Sequence, residues 1–519
     1  MAILENLEPK EVFHYFEEIC NIPHGSGNTE AISNYLVEFA KKKGLEYKQD
    51  ALGNVIIIKE ASAGYEVAPP VMIQGHMDMV AVSDRDCGID MRTEGLQLAV
   101  DGDQIYAKGT SLGADDGIAV AYMLALLSSY TLKHPRMEAV ITVEEEVGMD
   151  GASGIDLSIC RAKRLINLDS EEEGYLLAGC AGGAGFQISY PLQYQEYQGI
   201  PCCLSISGLQ GGHSGTEIHK GTANANLLLA RVVYGLMKSE GVHLLRIDGG
   251  RKDNVIPSSA AAELLIEKNS YGNVYQEFLR WQNVILGESK LRDPDAVIEL
   301  HSIELHSMEL NSMKLDSVEI GSMEWNSVDD GSNPADGGQA EEAIRKAVED
   351  RCAKKLLSLI QAMPRGVCEM SPAVSGLVET SLNLGRLMMD DQTVNLGYAV
   401  RSSVASKKEE LLERMILLCD VYHAAWNIKG VYPGWEYQPQ SPLRDTVCEV
   451  YRKMYGKEMV IQAIHAGLEC GFFAEKIEGL DCVSIGPDMC DVHTAKERLS
   501  ISSTERVYRF LLLLLEELK

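Results

Sequence analysis

Positive charge is scarce in this chain. Lysine and arginine number 47 against 76 acidic residues, a net charge of −29 over 519 residues. A polyanion of this size is repelled by phosphate backbones and anionic lipid, which excludes a general nucleic-acid or membrane-surface binder. A long apolar run is also missing. The longest leucine stretch, FLLLLLEELK at the C-terminus, is too short to span a bilayer and reads as a core-facing helix. The opening MAILENLEPKEVF has neither the basic start nor the apolar centre of a signal peptide, so none is expected. No two cysteines are spaced C-x-x-C, and the 13 present are scattered and odd in number. Reduced thiols in a cytoplasmic protein are therefore expected, rather than a disulfide framework or a thiolate zinc site.

What remains is an ordinary globular composition, 45% hydrophobic, in a chain too long for a single core. Residues 9–19 and 28–43 are expected to be helical. NVIIIKE, PPVMIQGHMDMV, RMEAVITVEEE and AKRLINLDSEEEG read as strands, and DDGIAVAYMLALLSS reads as a strongly apolar helix. This alternation predicts an α/β fold, a parallel or mixed sheet flanked by helices. The glycine cluster GCAGGAGF at 179–186 is expected to be a hinge, and GWEYQPQSPL at 434–443 a second crossing. The expected organisation is a discontinuous first domain, 1–183 with 432–519, and an inserted domain at 184–431.

Residues 301–330 run HSIEL HSMEL NSMKL DSVEI GSMEW NSVDD, six pentads of the form x-S-φ-E-φ with φ apolar. Period five fits neither a helix face nor strand alternation. With the linker-like DGSNPADGGQ that follows, it is expected to be a surface insertion at about 296–340 with no catalytic part.

Acids and histidines gather at expected strand ends. QGHMDMV places His76 and Asp78 on one face of a strand, as a metal ligand with a carboxylate beside it or as a hydrogen-bonded core histidine. Asp115 and Asp116 lie between a glycine turn and a helix, where acids also serve as caps. Asp169 ends INLD, and His493 sits in the polar loop of IGPDMCDVHTAKERLS. In ITVEEEVG, Glu144, Glu145 and Glu146 follow one another, a costly run if buried without a cation. In open α/β sheets, sites form outside the carboxyl ends of strands. A hard, oxygen-rich, histidine-containing donor set suits zinc, manganese or cobalt in an open catalytic site. Two metals sharing a carboxylate would relieve the charge crowding. A rival reading exists, because GTSLG at 109–113 fits the G-x-S-x-G of a serine hydrolase with Ser111 as nucleophile. It leaves His76, Asp115 and the glutamates unexplained.

With these residues assembled, the chain resembles the aminoacyl-histidine dipeptidase branch of the co-catalytic di-zinc metallopeptidase and aminoacylase family. GHMDMV, GADDGIA, EEEVGMDGA, INLDSEEEG, GGHSG, NVIP, HAGLECG and DVHT carry the resemblance across nearly the whole chain apart from the pentads. It implies a zinc-peptidase-like α/β fold with an inserted α+β lid domain, two Zn2+ ions (Mn2+ or Co2+ as alternatives) and a dipeptide substrate. His76, Asp115 and Asp169 would hold one metal, and Asp115, Glu146 and His493 the other. Asp78 would orient His76, Glu145 would be the general base, and the Asp115–Asp116 peptide is expected to be cis. Glu144 stands where the family has Asp, and is expected to be structural. His213 in GGHSG would stabilise the oxyanion, either from a homodimer partner or on lid closure. Asn254 and Arg401 are candidates for the substrate carboxylate. His465 and Glu469 are candidates for the pocket, with Glu469 facing the substrate amine. The implied activity is dipeptide hydrolysis, of Xaa-His type or broad, with N-acyl-amino-acid deacylation as the alternative on the same fold.

Overall fold

A computed structural model describes residues 3–303 and 342–519. The chain forms two compact units, Met1–Ala181 with Pro433–Lys519, and Gly182–Tyr432 inserted between those segments.

The first unit is built on an eight-stranded sheet. Its middle strands are, side by side, Met137–Thr142, Val71–His76, Arg164–Asn167 and Asp481–Ser484, all parallel. Val71–His76 and Met137–Thr142 are buried at every position, as expected of parallel strands covered on both faces. Glu46–Gln49 and Val55–Lys59 extend one side antiparallel, while Tyr175–Cys180 and Val460–Ile464 extend the other. Helix Ala114–Ser128 is apolar on all sides and nearly wholly buried, the signature of a helix enclosed by its own domain. Tyr122 on it stacks on Tyr508 of the terminal helix Ile501–Glu517, with ring centroids 6.0 Å apart. The Tyr122 hydroxyl donates to the Thr504 carbonyl at 3.0 Å. The FLLLLLEELK stretch thus packs into the core through Leu511, Leu514 and Leu515.

The sheet can approach helix Ala114–Ser128 closely because of one glycine. A Cβ at Gly75 would lie 2.3 Å from the Asp116 carboxylate and 2.8 Å from Ala119 Cβ. Gly75 is therefore a packing requirement beside His76.

Among the described residues the second unit has a ten-stranded sheet whose neighbouring strands run antiparallel. Helices Ala225–Leu236, Tyr271–Ser289, Asp350–Ala362 and Ala405–Tyr422 join it in a second core. This is the α/β architecture with an inserted α+β part expected above.

GCAGGAGF, expected to be a hinge, lies in strands Tyr175–Cys180 and Gly182–Pro191 on either side of Ala181, and the first crossing between the two units falls within it, between Ala181 and Gly182. Its glycines also serve packing, since a Cβ at Gly183 would strike the Tyr432 ring at 2.4 Å. One local expectation is corrected: the insertion does not begin near 296. Val297–Ser302 is a strand paired with Tyr194–Ser207, its buried Ile298 and Leu300 entering the core. The remaining pentads, from residue 304 on, lie outside the described residues.

Candidate metal centre

The site of the first unit lies beyond the carboxyl ends of its parallel strands, and each strand delivers one part of it. Val71–His76 ends on His76 and continues to Asp78. Met137–Thr142 runs out into Glu144–Glu146, Arg164–Asn167 leads to Asp169, and Asp481–Ser484 leads to the loop of His493.

His76 is oriented from behind. Its Nδ1 is 2.9 Å from the Asp78 backbone oxygen, so Nδ1 carries the proton and Nε2 is left as a lone-pair donor. Nε2 faces Asp115 Oδ1 at 3.1 Å and Asp169 Oδ1 at 3.6 Å. The other Asp115 oxygen, Oδ2, lies 3.1 Å from His493 Nε2. One carboxylate thus spans two imidazoles. His493 Nε2 is also 3.0 Å from Glu146 Oε1, yet that oxygen is buried without an aligned hydrogen bond. Such close, unaligned lone-pair atoms are what ligands converging on a shared cation show.

Asp78 is fully buried and holds the glutamate segment. Its Oδ1 accepts the Glu145 N–H at 3.0 Å, and its Oδ2 accepts from Ser26 Oγ at 2.8 Å and from the Glu146 N–H at 3.4 Å. The strand stops at Thr142, and Glu144 takes a left-handed conformation, φ 58°. A short helical turn, Glu145–Gly148, then sends the three side chains apart. Glu144 turns away to accept the Gly27 N–H with both oxygens at 2.9 Å. Glu145 and Glu146 fall in one donor group with His76.

The acidic pair at 115–116 does not cap its helix. The Asp115–Asp116 peptide is cis, and both residues depart from helical backbone angles. The Asp116 carboxylate accepts the His76 N–H at 3.1 Å. The N–H groups at the helix start go to Glu497, whose carboxylate accepts from Leu112, Gly113, Ala114 and Asp115 at 2.7–3.4 Å.

Electrostatics express the crowding. Burial pushes Glu145 well above the usual carboxylate range, aided by Asp169, Glu469 and Glu146 and opposed by His76. Burial likewise carries Asp169 to about 7 and Asp116 well upward. Burial disfavours charge on His76, but its bonds to Asp115, Asp169 and Asp78 outweigh that and raise its pKa well above 6.5. The Asp115 and Glu146 carboxylates beside it carry His493 to about 11. Without a metal, protons occupy the places of cations. Three donor groups lie within metal-binding reach: His76–Asp116–Asp169, His76–Glu145–Glu146 and Asp115–Glu146–His493. The donor chemistry, the shared Asp115 and the unaligned Glu146 oxygen all fit a divalent metal pair.

Glu469 and His465 belong to this unit too. Glu469 is wholly buried, its Oε2 accepting from Thr142 Oγ1 at 2.6 Å and Gln74 Nε2 at 2.5 Å, and burial carries it to about 7. His465 follows strand Val460–Ile464 and is buried. Ser111 is walled in. Its hydroxyl donates to the Val80 carbonyl at 2.7 Å and accepts the Val82 N–H at 3.2 Å, with no exposure at all. It ties a loop and is no surface nucleophile.

Three predicted residues lie in the second unit. His213 pairs with Val255 in a two-residue ribbon, and Asn254 precedes Val255, its carbonyl accepting the Ser214 N–H at 2.9 Å. Arg401 lies on strand Thr393–Ser402, buried, with Nη1 donating to the Tyr432 hydroxyl at 2.9 Å. His213 Nδ1 accepts the Thr216 N–H at 3.1 Å, which places its ring proton on Nε2. Burial, then Arg401, lower its pKa and favour the neutral ring.

Sequence reasoning passed over Ser26, Gly75 and Glu497. Ser26 carries no local signal, and Gly75 stands in GHMDMV without a sign there of its packing role. Glu497, four residues after His493 in one polar loop, had its position as a clue.

Fold and donor set together define a metal-dependent peptidase. The chain belongs to the peptidase family M20/M25/M40, whose profile matches residues 72–517. It is 35% identical, over 523 aligned residues, to the cytosol non-specific dipeptidase of Escherichia coli (strain K12), spanning 100% of this chain and 99% of that protein. The crystal structure of aminoacylhistidine dipeptidase from Vibrio alginolyticus is similar with a TM-score of 0.86 at 29% identity, covering 99% of this chain and 98% of that one. Aminopeptidase PepT from Bacillus cereus ATCC 10987 shares the fold, with a TM-score of 0.58 at 14% identity over 99% of each chain. Among the described residues no helix is long and apolar enough to cross a membrane.

Proposed function

We propose that this metallopeptidase hydrolyses dipeptides with a free α-amino group, in the cytoplasm, using a pair of zinc ions. The observation that carries the metal reading is Asp115, with one oxygen at each of two imidazoles, His76 and His493. His76, Asp115 and Asp169 would hold one ion, and Asp115, Glu146 and His493 the other. Bound there, the ions supply Lewis acidity, polarising a water and the scissile carbonyl. Manganese or cobalt would satisfy the same oxygen and imidazole donors.

The chain's own residues do the rest. Glu145 takes a proton from the attacking water and passes it to the leaving amine nitrogen. Its buried, acid-crowded carboxyl favours holding that proton between the two transfers. Asp78 keeps His76 in the right tautomer and fixes the Glu145 backbone. His213, neutral with its proton on Nε2, is suited to donate to the oxyanion, from the same chain or from the other copy of a homodimer. Arg401 and Asn254 are the proposed partners of the substrate carboxylate, since a guanidinium matches a carboxylate fork. His465 and Glu469 are assigned to the pocket, Glu469 on the amine side.

The dipeptide reading is supported by the full-length likeness to the Escherichia coli dipeptidase. Its test compares Xaa-His and other dipeptides with their N-acetylated forms and with N-acetyl amino acids. Hydrolysis restricted to free-amine dipeptides supports it. Preference for N-acyl amino acids would make the protein a deacylase.

A further inference from the structure

Helix Ala114–Ser128 begins in an unusual way. Its first N–H groups need acceptors, and acids stand ready at positions 115 and 116. Yet both Asp115 oxygens face imidazoles, and Asp116 accepts from His76. The acceptor comes instead from the far end of the chain. Glu497 Oε2 accepts from Leu112 at 2.7 Å and Gly113 at 3.0 Å. Its Oε1 accepts from Ala114 at 2.8 Å and more weakly from Asp115 at 3.4 Å.

Glu497 is itself only 2% exposed and close enough to Asp115 for repulsion between the two. Burying a second carboxylate beside a crowded acidic centre is costly, and a neutral cap would hold a helix start at less cost. The arrangement therefore does something beyond capping. Glu497 closes the turn that carries His493. Its own N–H donates to the Thr494 carbonyl at 3.2 Å, and Thr494 Oγ1 donates to the Asp491 carbonyl at 2.7 Å. One side chain thus fastens the loop of His493 to the loop of Asp115, across more than 380 residues of sequence.

We propose that Glu497 is a positioning residue of the metal centre: it relieves Asp115 of helix capping and locks the Asp115 and His493 loops together so that both face the same ion. The proposal rests on the metal reading above. Removing an outer partner of this kind typically weakens metal binding about 10- to 100-fold. The loss should fall mainly on the ion shared by Asp115, Glu146 and His493.

The test is a zinc titration of the metal-stripped full chain against a chromophoric chelator, with thermal unfolding of the same metal-free samples. Glu497→Gln is expected to bind its weaker zinc about 10-fold or more less tightly than wild type. Saturating zinc should restore most of its kcat. Tyr122→Phe is the control, because it removes a hydrogen bond that ties the same helix to the Thr504 carbonyl and involves no proposed ligand. It should lower Tm and leave zinc affinity unchanged. Glu497→Asp keeps the charge on a shorter arm, and should fall between wild type and Glu497→Gln; it carries the comparison should the glutamine variant not fold. Unchanged zinc affinity in the folded Glu497 variants, with only Tm reduced, would overturn the proposal and leave a simple cap. A wild-type chain that takes up no divalent metal would overturn the metal centre along with it.

Discussion

The Asp78 carboxylate holds the backbone of Glu145, accepting its N–H at 3.0 Å while the Asp78 carbonyl sets the tautomer of His76. One residue therefore aligns both the proposed ligand His76 and the proposed base Glu145. Burial raises its pKa, but His76, the Glu145 N–H and Ser26 together bring it below the ordinary value. Asp78→Asn turns one acceptor into a donor, set either against the Glu145 N–H or against the Glu146 N–H and the Ser26 hydroxyl. We expect kcat to fall about 10- to 100-fold with metal content largely kept, measured by steady-state kinetics beside metal analysis.

The three consecutive glutamates have separate fates, so their substitutions should separate. Glu145→Gln should keep both metals and lose kcat roughly 100- to 10,000-fold. Glu146→Gln removes a ligand and should weaken one metal at least about 10-fold. Glu144→Gln loses a charged acceptor for the Gly27 N–H and should cost about 1 kcal/mol of stability with little effect on kcat. Equal effects at all three positions would contradict these roles.

Metal binding should strengthen as pH rises. In the metal-free chain His493 is held near 11 against 6.5, so its ion pairs stabilise fully below about pH 6.5 and are lost as pH climbs toward 11. Asp169, moved from 3.8 to about 7, acts in the same direction, stabilising only while protonated. Metals must displace these protons. The rise in Tm on adding zinc should be larger at about pH 8 than at about pH 5.5, and loading at about pH 7 should release roughly two to three protons, one per imidazolium and a further part from Asp169. Calorimetry in buffers of different ionisation enthalpy checks the count.

Ser111 fits a nucleophile motif but is wholly buried, its hydroxyl held by the backbone of Val80 and Val82. Ser111→Ala should leave kcat unchanged and cost about 1 kcal/mol in denaturant unfolding. A serine-directed acylating or phosphonylating reagent should leave activity intact.

The parallel strands were legible because both their faces are buried, which makes them near-continuous apolar runs. The candidate motifs of His76, the glutamates at 144–146 and Asp169 were legible because each follows such a run, while Asp115 and Asp116 stood out as two acids where a helix start needs one cap. A regular strand would have put Glu144 and Glu146 on one face. The left-handed Glu144 breaks that alternation, and β-strand periodicity carries no sign of it. GCAGGAGF marked the crossing between the units, but not that its residues are strand: glycine signals both flexibility and close approach, and at Gly183 the Tyr432 ring requires the latter. Val297–Ser302 was absorbed into the pentads because its mate, Tyr194–Ser207, lies about a hundred residues earlier. Glu497 was missed for the same kind of reason, its four donors being supplied from 382 to 385 residues away.

The most direct test of the account strips the protein with a chelator, assays it on a free-amine dipeptide, and then restores zinc in steps. The account predicts negligible hydrolysis without metal and recovery that follows zinc up to two ions per chain. Full activity in the stripped protein would contradict it.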